Sequence, residues 1–257
     1  VISDNASTDG TEEICQSYAR TDKRVRYFRN SQNLGAAWNY NRVFRLSQGR
    51  YFKWAAADDV CSLHYLERCV PILEASSDVV LCYGRTRLID EHGKALGDYD
   101  DRLDLRDDSP AGRFVGFLRS VRECNAVFGV IRRSVLAGTS LIGSYVGSDR
   151  CLLGELSLRG KFVEIPEYLF YRRVHPRASS SNKSLEAQMS FFDPRKPVSV
   201  LPPRLRRWIE FARAANRSHL NARSRARIYL ELMRELVWGR RNYWAEFRET
   251  LHYLSTR

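Results

Sequence analysis

Short apolar segments alternate with helical patterns over the first two-thirds of the chain, and this alternation constrains the fold more than any other feature. Val25–Phe28, Tyr51–Ala56 and Val79–Tyr83 have the length and composition of strands. Gly35–Leu46 carries apolar residues at helical spacing. Strands that alternate with helices in this way are typical of an α/β fold with a largely parallel sheet.

Two polar stretches and a helical region depart from this alternation. Residues 90–109 are predicted to form a long polar loop, and residues 176–200 a mobile loop. Beyond them, three sets of apolar residues fit helix faces. The sets are Leu205, Trp208, Ile209 and Ala212; Ala226, Tyr229, Leu230, Met233 and Val237; and Trp244, Phe247, Leu251 and Leu254. The sequence therefore predicts an α/β domain over residues 1–185 and a basic helical region over residues 186–257.

The positive charge is concentrated in the helical region. The formal net charge is +12, and residues 195–257 hold 15 Lys or Arg against 5 Glu. Basic amphipathic helices suit an anionic membrane surface, whereas no nucleic-acid-binding motif is recognisable. Solvated helix faces are the alternative explanation. We therefore expect no nucleic-acid partner, and we treat peripheral contact with an anionic membrane through residues 195–257 as a hypothesis.

The cysteines and the hydropathy pattern bear on location. Six cysteines stand singly, outside any zinc-binding spacing, which favours reduced thiols. The sequence contains neither a run of about 18 apolar residues nor a signal peptide. These features indicate a cytoplasmic protein, with peripheral contact at the inner membrane face as an option. The chain also begins on what reads as the end of a strand, Val1–Ser3, so we expect a further segment to precede it.

Two acidic positions follow predicted strands. Asp4 opens the polar loop after Val1–Ser3, and Asp58 and Asp59 end the run that starts at Tyr51. In open α/β sheets, ligands bind beyond the carboxyl ends of the strands. A carboxylate there can accept hydrogen bonds from a nucleoside, and adjacent carboxylates can bind a hard divalent cation. The alternatives are a helix-capping loop at Asp4 and a pair of exposed turn acids at Asp58 and Asp59.

Two further positions carry chemistry later in the chain. Asp149 stands at the start of a predicted helix, where it could serve as a general base or simply as an acid favoured by the helix dipole. Arg172, Arg173 and His175 precede the second polar stretch. Cations and an imidazole at this place could meet a diphosphate and its metal, although a lone His is usually not a ligand.

Taken together in their order and spacing, five segments resemble the motifs of family 2 glycosyltransferases. The segments are Ile2–Thr11, Asn30–Gly35 with Asn39 and Asn41, Tyr51–Asp59, Ser148–Leu156 and Leu169–His175. The first and third are the most specific. The resemblance covers about residues 1–180 and implies a GT-A fold: a Rossmann-like, mostly parallel sheet flanked by helices, with a C-terminal helical extension.

The resemblance also implies a reaction and a set of residue roles. The reaction is transfer of a sugar, with inversion, from a nucleoside-diphosphate sugar, most often a UDP-sugar, to a glycan or lipid-linked acceptor. The implied cofactor is Mn²⁺ or Mg²⁺. The resemblance implies that the nucleotide is bound by Asp4 at the base, by Asp58 at the ribose, by Arg172 and Arg173 at the diphosphate, and by Asn33 and Gly35. It implies that Asp59 and His175 bind the metal. It implies that Asp149 is the general base.

Two departures from the family pattern are visible. Many family members carry an acid two positions before Asp58, where this chain has Ala56. The usual first strand and helix are also absent from the sequence. A catalytically inactive relative, or a module that only binds a glycan or a nucleotide, therefore stays open as a second hypothesis.

Overall fold

The computed structural model describes residues 1–176, 178, 181, 184–195 and 201–255, without the side chains of residues 252–254. The strands in these ranges are β1 (Ile2–Asp4), β2 (Tyr27–Arg29), β3 (Tyr51–Phe52), β4 (Val60–Cys61), β5 (Val79–Ile89), β6 (Ala95–Tyr99), β7 (Val130–Arg132) and β8 (Lys161–Arg173). The helices are α1 (Thr11–Thr21), α2 (Ala36–Leu46), α3 (Tyr65–Ala75), α4 (Pro110–Ser120), α5 (Arg133–Ala137), α6 (Ser148–Arg159), α7 (Leu185–Phe192), α8 (Pro203–Arg217), α9 (Ala222–Trp238) and α10 (Arg240–Ser255). None of the helices within these ranges is both long and apolar enough to cross a bilayer.

The strands form two sheets. β1 and β2 pair in parallel with each other. The larger sheet has the order β3-β7-β5-β8-β4, and β6 pairs with β5. Within it only β5 and β8 are parallel, and the other pairs are antiparallel. The predicted α/β layering is confirmed, but the pairing is mixed rather than mostly parallel.

The polar stretch 90–109 illustrates why the pairing is mixed. The prediction of a long loop there is wrong, because Ala95–Tyr99 forms β6. The connection from β5 is a short turn in which Gly93 has a φ of +87°. A turn this short cannot make the crossover that parallel strands need, so β6 returns antiparallel to β5.

The second polar stretch is also more ordered than predicted in its described part. Leu185–Phe192 forms α7, and the Ser184 side chain caps it by accepting a hydrogen bond from the Ala187 backbone N–H. Residues 177, 179, 180, 182, 183 and 196–200 of the predicted mobile loop lie outside the described residues. The prediction of a mobile loop is therefore wrong for Leu185–Phe192, which form α7.

Strand β5 continues through Gly84, beyond the end of the predicted strand Val79–Tyr83, and reaches Ile89. A Cβ at Gly84 would lie 2.5 Å from the Cβ of Leu169 on β8. The glycine therefore allows a close approach of β8 rather than a turn. β3 is shorter than predicted and ends at Phe52.

The C-terminal helices pack directly on the α/β part. Phe211 of α8 makes edge-on ring contacts with Phe114 and Phe117 of α4, at centroid distances of 5.5 and 6.1 Å. Arg217 of α8 pairs with the buried Glu155 of α6 at 3.0 Å. One hydrophobic cluster thus includes side chains from both sides of the domain boundary that was predicted between residues 185 and 186. The position of that boundary stays a prediction.

Candidate functional site

An acidic corner forms where β4 pairs with the end of β8. The pairing of Val60 with Tyr171 places Asp59 beside Arg173. The Arg173 backbone N–H donates to Oδ1 of Asp59 at 2.9 Å. Nε2 of His175 lies 3.1 Å from Oδ2 of Asp58. The structure therefore brings together Asp58, Asp59 and His175, which the sequence predicted to share a site.

The two adjacent arginines hold this corner in place. Arg173 donates from Nε to the Asp58 carbonyl at 2.8 Å, and from Nη1 to the carbonyls of Asp90 and Glu91. Arg172 donates to Glu123 at 3.0 Å and to the side chain of Asn125 at 3.3 Å. Both guanidinium groups therefore have protein partners, and their contact with a diphosphate stays a prediction.

Electrostatics make the acidic corner a place for a cation. Burial raises the pKa of Asp59, and the neighbouring charge of Asp58 raises it further. Two close carboxylates repel each other, and a bound cation relieves that repulsion. Lys53 and Arg172 already act in this direction, since their charges lower the pKa of Asp59.

The donor set fits a divalent metal only in part. Carboxylate oxygens and an imidazole suit Mn²⁺ or Mg²⁺. Within the described part of the chain, no group of three or more His, Cys, Asp or Glu side chains is arranged to hold a metal. Mg²⁺ is commonly bound by one or two carboxylates together with substrate phosphates. Binding of a metal by Asp59 and His175, with a diphosphate completing its coordination, therefore stays a prediction.

A second corner surrounds Asp4 at the end of β1. Its side chain is fully buried, and Arg29 pairs with it at 2.6 Å. Oδ2 also accepts from the Tyr27 hydroxyl at 2.7 Å, and Oδ1 accepts from the Ser7 N–H at 2.8 Å. Burial alone would raise the pKa of Asp4, but these hydrogen bonds outweigh it and lower the pKa to about 2. Asp4 is therefore an anion that is held firmly in one orientation.

The asparagine segment holds the loop after β1. Oδ1 of Asn33 accepts from the Asn5 side chain at 2.7 Å and from the Gly35 N–H at 2.9 Å. Gly35 has a φ of +86°, and a Cβ there would collide with the backbone of Phe192 on α7. Among the described residues, no hydrogen bond or ion pair joins Asp4 to Asp58, Asp59 or Asp149.

Asp149 stands in the first turn of α6. Its Oδ1 accepts from the Arg150 N–H at 2.8 Å. Burial raises its pKa, and the hydrogen bonds from Arg150 and Cys124 oppose that rise. A carboxylate whose pKa is raised by burial is a stronger proton acceptor than an exposed one, which is the property that a general base needs.

The charges of both acidic sites act on the hydroxyl of Tyr40. Burial raises the pKa of this hydroxyl, and the charges of Asp58, Asp59 and Asp149 all raise it further. The Tyr40 ring lies 6.2 Å from that of Trp54, whose Nε1 donates to the Tyr40 carbonyl at 3.0 Å. That Asp149 shares one site with Asp58 and Asp59 stays a prediction.

Sequence reasoning did not single out Tyr40 or the buried carboxylate of Asp101. Asp101 is 1% exposed and accepts from the Thr86 hydroxyl at 2.9 Å. Burial raises its pKa to about 7. The charges of Asp149 and Asp101 both raise the pKa of the Cys124 thiol, which burial raises most. No sequence signal distinguished Asp101 from its acidic neighbours, whereas Tyr40 lies within the Asn30–Asn41 segment and could have been found there.

Comparisons with known proteins identify the fold and the family of this chain. The crystal structure of S. aureus TarS 1–349 in complex with UDP-GlcNAc matches with a TM-score of 0.65 and 12% identity, and the match covers 97% of this chain and 69% of that chain. At this identity the likeness defines the fold, which is the GT-A fold with a C-terminal helical region, as predicted. The chain belongs to glycosyl transferase family 2, since the model of that family matches residues 1–135, more than half of the chain.

Two relatives are similar in sequence over shorter segments. An uncharacterized glycosyltransferase, MJ1057 of Methanocaldococcus jannaschii, is 29% identical over 99 residues, which are 38% of this chain and 34% of that protein. Abequosyltransferase RfbV of Salmonella typhimurium is 37% identical over 82 residues, which are 32% of this chain and 25% of that protein. The matched segment thus spans only about a third of these relatives or less.

Proposed function

We propose that this protein is an inverting glycosyltransferase, which moves a sugar from a nucleoside-diphosphate sugar to an acceptor hydroxyl. The observation that carries the proposal is the acidic corner, where Asp58 lies 3.1 Å from His175 and Asp59 accepts from the Arg173 backbone N–H at 2.9 Å. A corner that attracts a cation and a buried carboxylate that can accept a proton, Asp149, are the two elements that this reaction needs. Membership of glycosyl transferase family 2 supports the same conclusion.

Asp149 is the general base in this proposal. The bond between C1 of the donor sugar and the diphosphate oxygen breaks, and its electron pair leaves with the diphosphate. The acceptor oxygen bonds to C1 from the opposite face, and its proton goes to the Asp149 carboxylate. Burial, which raises the pKa of Asp149, makes that transfer more favourable.

The donor end is divided between the two acidic corners. Asp4, fixed by Arg29 and Tyr27, contacts the nucleoside base, and Asp58 contacts the ribose. Asn33 and Gly35 shape the loop on which the nucleotide lies, and Arg172 and Arg173 border the diphosphate. A Mn²⁺ or Mg²⁺ ion, held by Asp59 with His175, would stabilise the negative charge of the leaving diphosphate.

We assign the donor to the UDP-sugar class and the acceptor to the glycans or lipid-linked saccharides. The TarS structure that shares the fold contains UDP-GlcNAc, and the relative RfbV is named an abequosyltransferase. Both names favour a nucleotide-sugar donor and a saccharide product.

The test is turnover by the complete protein with a panel of UDP-, GDP- and dTDP-sugars. Release of the nucleoside diphosphate and transfer to acceptor glycans are both measured, in the presence of Mn²⁺ or Mg²⁺. We expect release with at least one donor. If the protein binds a donor but neither hydrolyses nor transfers any, it is the catalytically inactive relative, and the enzyme proposal is refuted.

We further propose peripheral contact with an anionic membrane through the C-terminal helices. The observation that favours it is an exposed apolar face on α9 and α10, where Trp238, Trp244 and Leu251 are 76%, 63% and 50% exposed. Arg241 and Arg248 are exposed on the same helix as Trp244. Exposed tryptophans beside arginines are typical of interfacial helices.

Flotation with vesicles tests the membrane proposal. We expect the protein to float with vesicles that contain phosphatidylglycerol, less so with phosphatidylcholine alone, and less at high salt. Trp244→Glu should weaken flotation, whereas Leu63→Glu, at a fully exposed leucine outside this face, should not. Equal partitioning with and without anionic lipid contradicts the proposal.

A further inference from the structure

Two asparagines of α2 tie this helix to two distant segments of the chain. The side-chain amide of Asn39 donates to the Ser3 carbonyl at 2.8 Å, and its oxygen accepts from the Ser3 hydroxyl at 2.6 Å. The amide of Asn41 donates to the Ile142 carbonyl at 2.8 Å, and its oxygen accepts from the Ile142 backbone N–H at 3.1 Å. Within one turn, α2 therefore holds the strand that ends at Asp4 and the segment that precedes α6.

Asn41 provides partners for both backbone groups of Ile142. Residues 138–147, all of which the structure describes, form neither helix nor strand. Ile142 is buried, so water cannot replace a missing partner, and an unpaired backbone group would be costly. The two hydrogen bonds thus fix the position of this segment against α2.

The residue before Ile142 has a strained backbone. Leu141 has a φ of +57°, which is uncommon for residues other than glycine, asparagine and aspartate. On the other side of Leu141, the N–H and the hydroxyl of Ser140 both donate to Oε2 of Glu155 on α6, at 3.1 and 2.8 Å. Such strain persists only where the surroundings impose it, and it is frequent at functional sites. The segment is therefore held by α6 and by α2 on the two sides of the strained residue.

The same segment leads directly to the proposed base. Asp149 lies in the first turn of α6, which begins where this segment ends. The Ser148 N–H donates back to the Tyr145 carbonyl at 3.3 Å, and Gly147, with a φ of +82°, turns the chain into the helix. A shift of the segment at Ile142 would therefore move the start of α6 and the carboxylate of Asp149 with it.

We propose that Asn41 is a positioning residue for the transfer step. It sets the place of the Asp149 carboxylate relative to the donor end, because one turn of α2 holds both segments. Asn41 acts through residues 138–147 and not by contact with a reacting group. Catalysis depends steeply on placement, since a displacement of about 1 Å can lower a rate by about 10²-fold. This inference rests on the proposed transferase function and adds a residue to it.

A double-mutant cycle in the complete protein tests this role. We expect Asn41→Ala to lower the single-turnover rate of transfer by about 10- to 100-fold and to leave the donor affinity within about twofold. In a protein that already carries Asp149→Asn, adding Asn41→Ala should lower the rate by less than about threefold, because the carboxylate that Asn41 positions is then absent. Asn41→Gln, which keeps the amide on a longer side chain, should restore part of the rate that Asn41→Ala loses.

Controls separate positioning from a general loss of stability. Asn216→Ala should leave the rate unchanged, because Asn216 is an exposed asparagine that accepts from the Tyr229 hydroxyl at 3.0 Å within the C-terminal helices. Asn39→Ala should weaken donor affinity more than the transfer rate, since Asn39 holds the strand that ends at Asp4. Thermal melts establish that each variant is folded at the assay temperature. Asn41→Asp, which keeps the side-chain volume and loses only the donor to the Ile142 carbonyl, repeats the cycle if Asn41→Ala unfolds.

Three results would overturn the inference. They are additive losses in the cycle, a loss in Asn41→Ala that is confined to donor affinity, and the same pattern of losses in Asn39→Ala and Asn41→Ala. A large loss in Asp149→Asn together with additive effects of Asn41 would refute only the positioning role. If the unaltered protein transfers from no donor, or if Asp149→Asn leaves the rate unchanged, the proposed reaction or its base is refuted and this inference fails with it.

Discussion

Replacing Asp149 with Asn tests the proposed base with little structural disturbance. The change keeps the side-chain volume and removes the negative charge. Oδ1 of Asp149 accepts one backbone hydrogen bond, from Arg150 at 2.8 Å, and the amide oxygen of Asn can accept the same bond. The variant should therefore fold and differ chiefly in its ability to take a proton.

The magnitude follows from the role and from burial. General-base catalysis contributes about 10²–10⁴-fold, or roughly 3–5 kcal/mol, so kcat should fall by that factor. The affinity for the donor should stay within about twofold, since the proposed base acts on the acceptor hydroxyl and not on the donor. Because burial raises the pKa of Asp149, the stability contributed by its neutral form is present below pH 3.8 and is lost as pH rises through the higher folded pKa. The charge is therefore unfavourable at neutral pH, and Asp149→Asn should raise the melting temperature.

The assay combines single-turnover kinetics, donor titration and thermal melts at neutral pH. Asp22→Asn serves as the control, because Asp22 is a surface acid that pairs with Arg24 at 2.7 Å. In the unaltered protein, kcat should fall on acidification as Asp149 is protonated, and Asp149→Asn should lack that dependence. A kcat within twofold of the unaltered enzyme, or a loss confined to donor affinity, would refute the assignment.

Three further predictions concern stability. Acid should weaken the β1–β2 unit, because the pKa of Asp4 is lowered to about 2. The stabilising charge of Asp4 is present above pH 3.8, and about 2 kcal/mol of stability is lost as pH falls through 2. Urea melts from pH 5 to pH 2 would show this loss, and Asp4→Asn should abolish it. Glu155→Gln leaves Arg217 without its buried partner and should cost about 3 kcal/mol in urea unfolding, whereas Glu249→Gln, at an exposed acid, should cost almost nothing. Burial raises the pKa of Asp101 to about 7, so the stability that its neutral form contributes is present below pH 3.8 and is lost as pH rises through 7. Asp101→Asn should therefore raise the melting temperature at pH 8 and not at pH 5. Equal shifts at the two pH values would contradict the burial argument.

The positions of the acidic residues were predictable because they follow local patterns. A carboxylate after an apolar strand marks the edge of a sheet, so the pattern around Asp58 and Asp59 indicated a site. Asp149 was identified by its place at the start of a strongly apolar helix. The structure confirms that Asp58 and His175 are in contact, with Asp59 beside them, whereas the place of Asp149 in the same site stays a prediction from family spacing.

Strand pairing was not predictable in the same way. β6 was missed because Ala95–Tyr99 contains Gly97 and Asp98, which are poor strand formers, and because an edge strand needs little apolar surface. The mixed pairing depends on a short turn, and the length of β5 depends on the close contact of Gly84 with Leu169. Such contacts join residues far apart in the chain, so no local pattern encodes them.

Some contacts became visible only in the tertiary structure. Tyr40 reads as an ordinary helix residue, and only the folded chain shows that the charges of Asp58, Asp59 and Asp149 raise the pKa of its hydroxyl. Net charge located the basic region but could not indicate that Arg217 of α8 pairs with the buried Glu155 of α6.

The proposed reaction requires the acidic corner to hold a metal together with a nucleotide-sugar. Calorimetric titration of UDP-sugars into the complete protein, with Mn²⁺ and then with EDTA, tests this requirement. We predict binding that weakens at least about tenfold in EDTA, and a similar loss in Asp59→Asn with Mn²⁺ present, because both changes remove the charge that neutralises the diphosphate. Donor binding that is equally tight with EDTA and with Asn at position 59 would contradict the account.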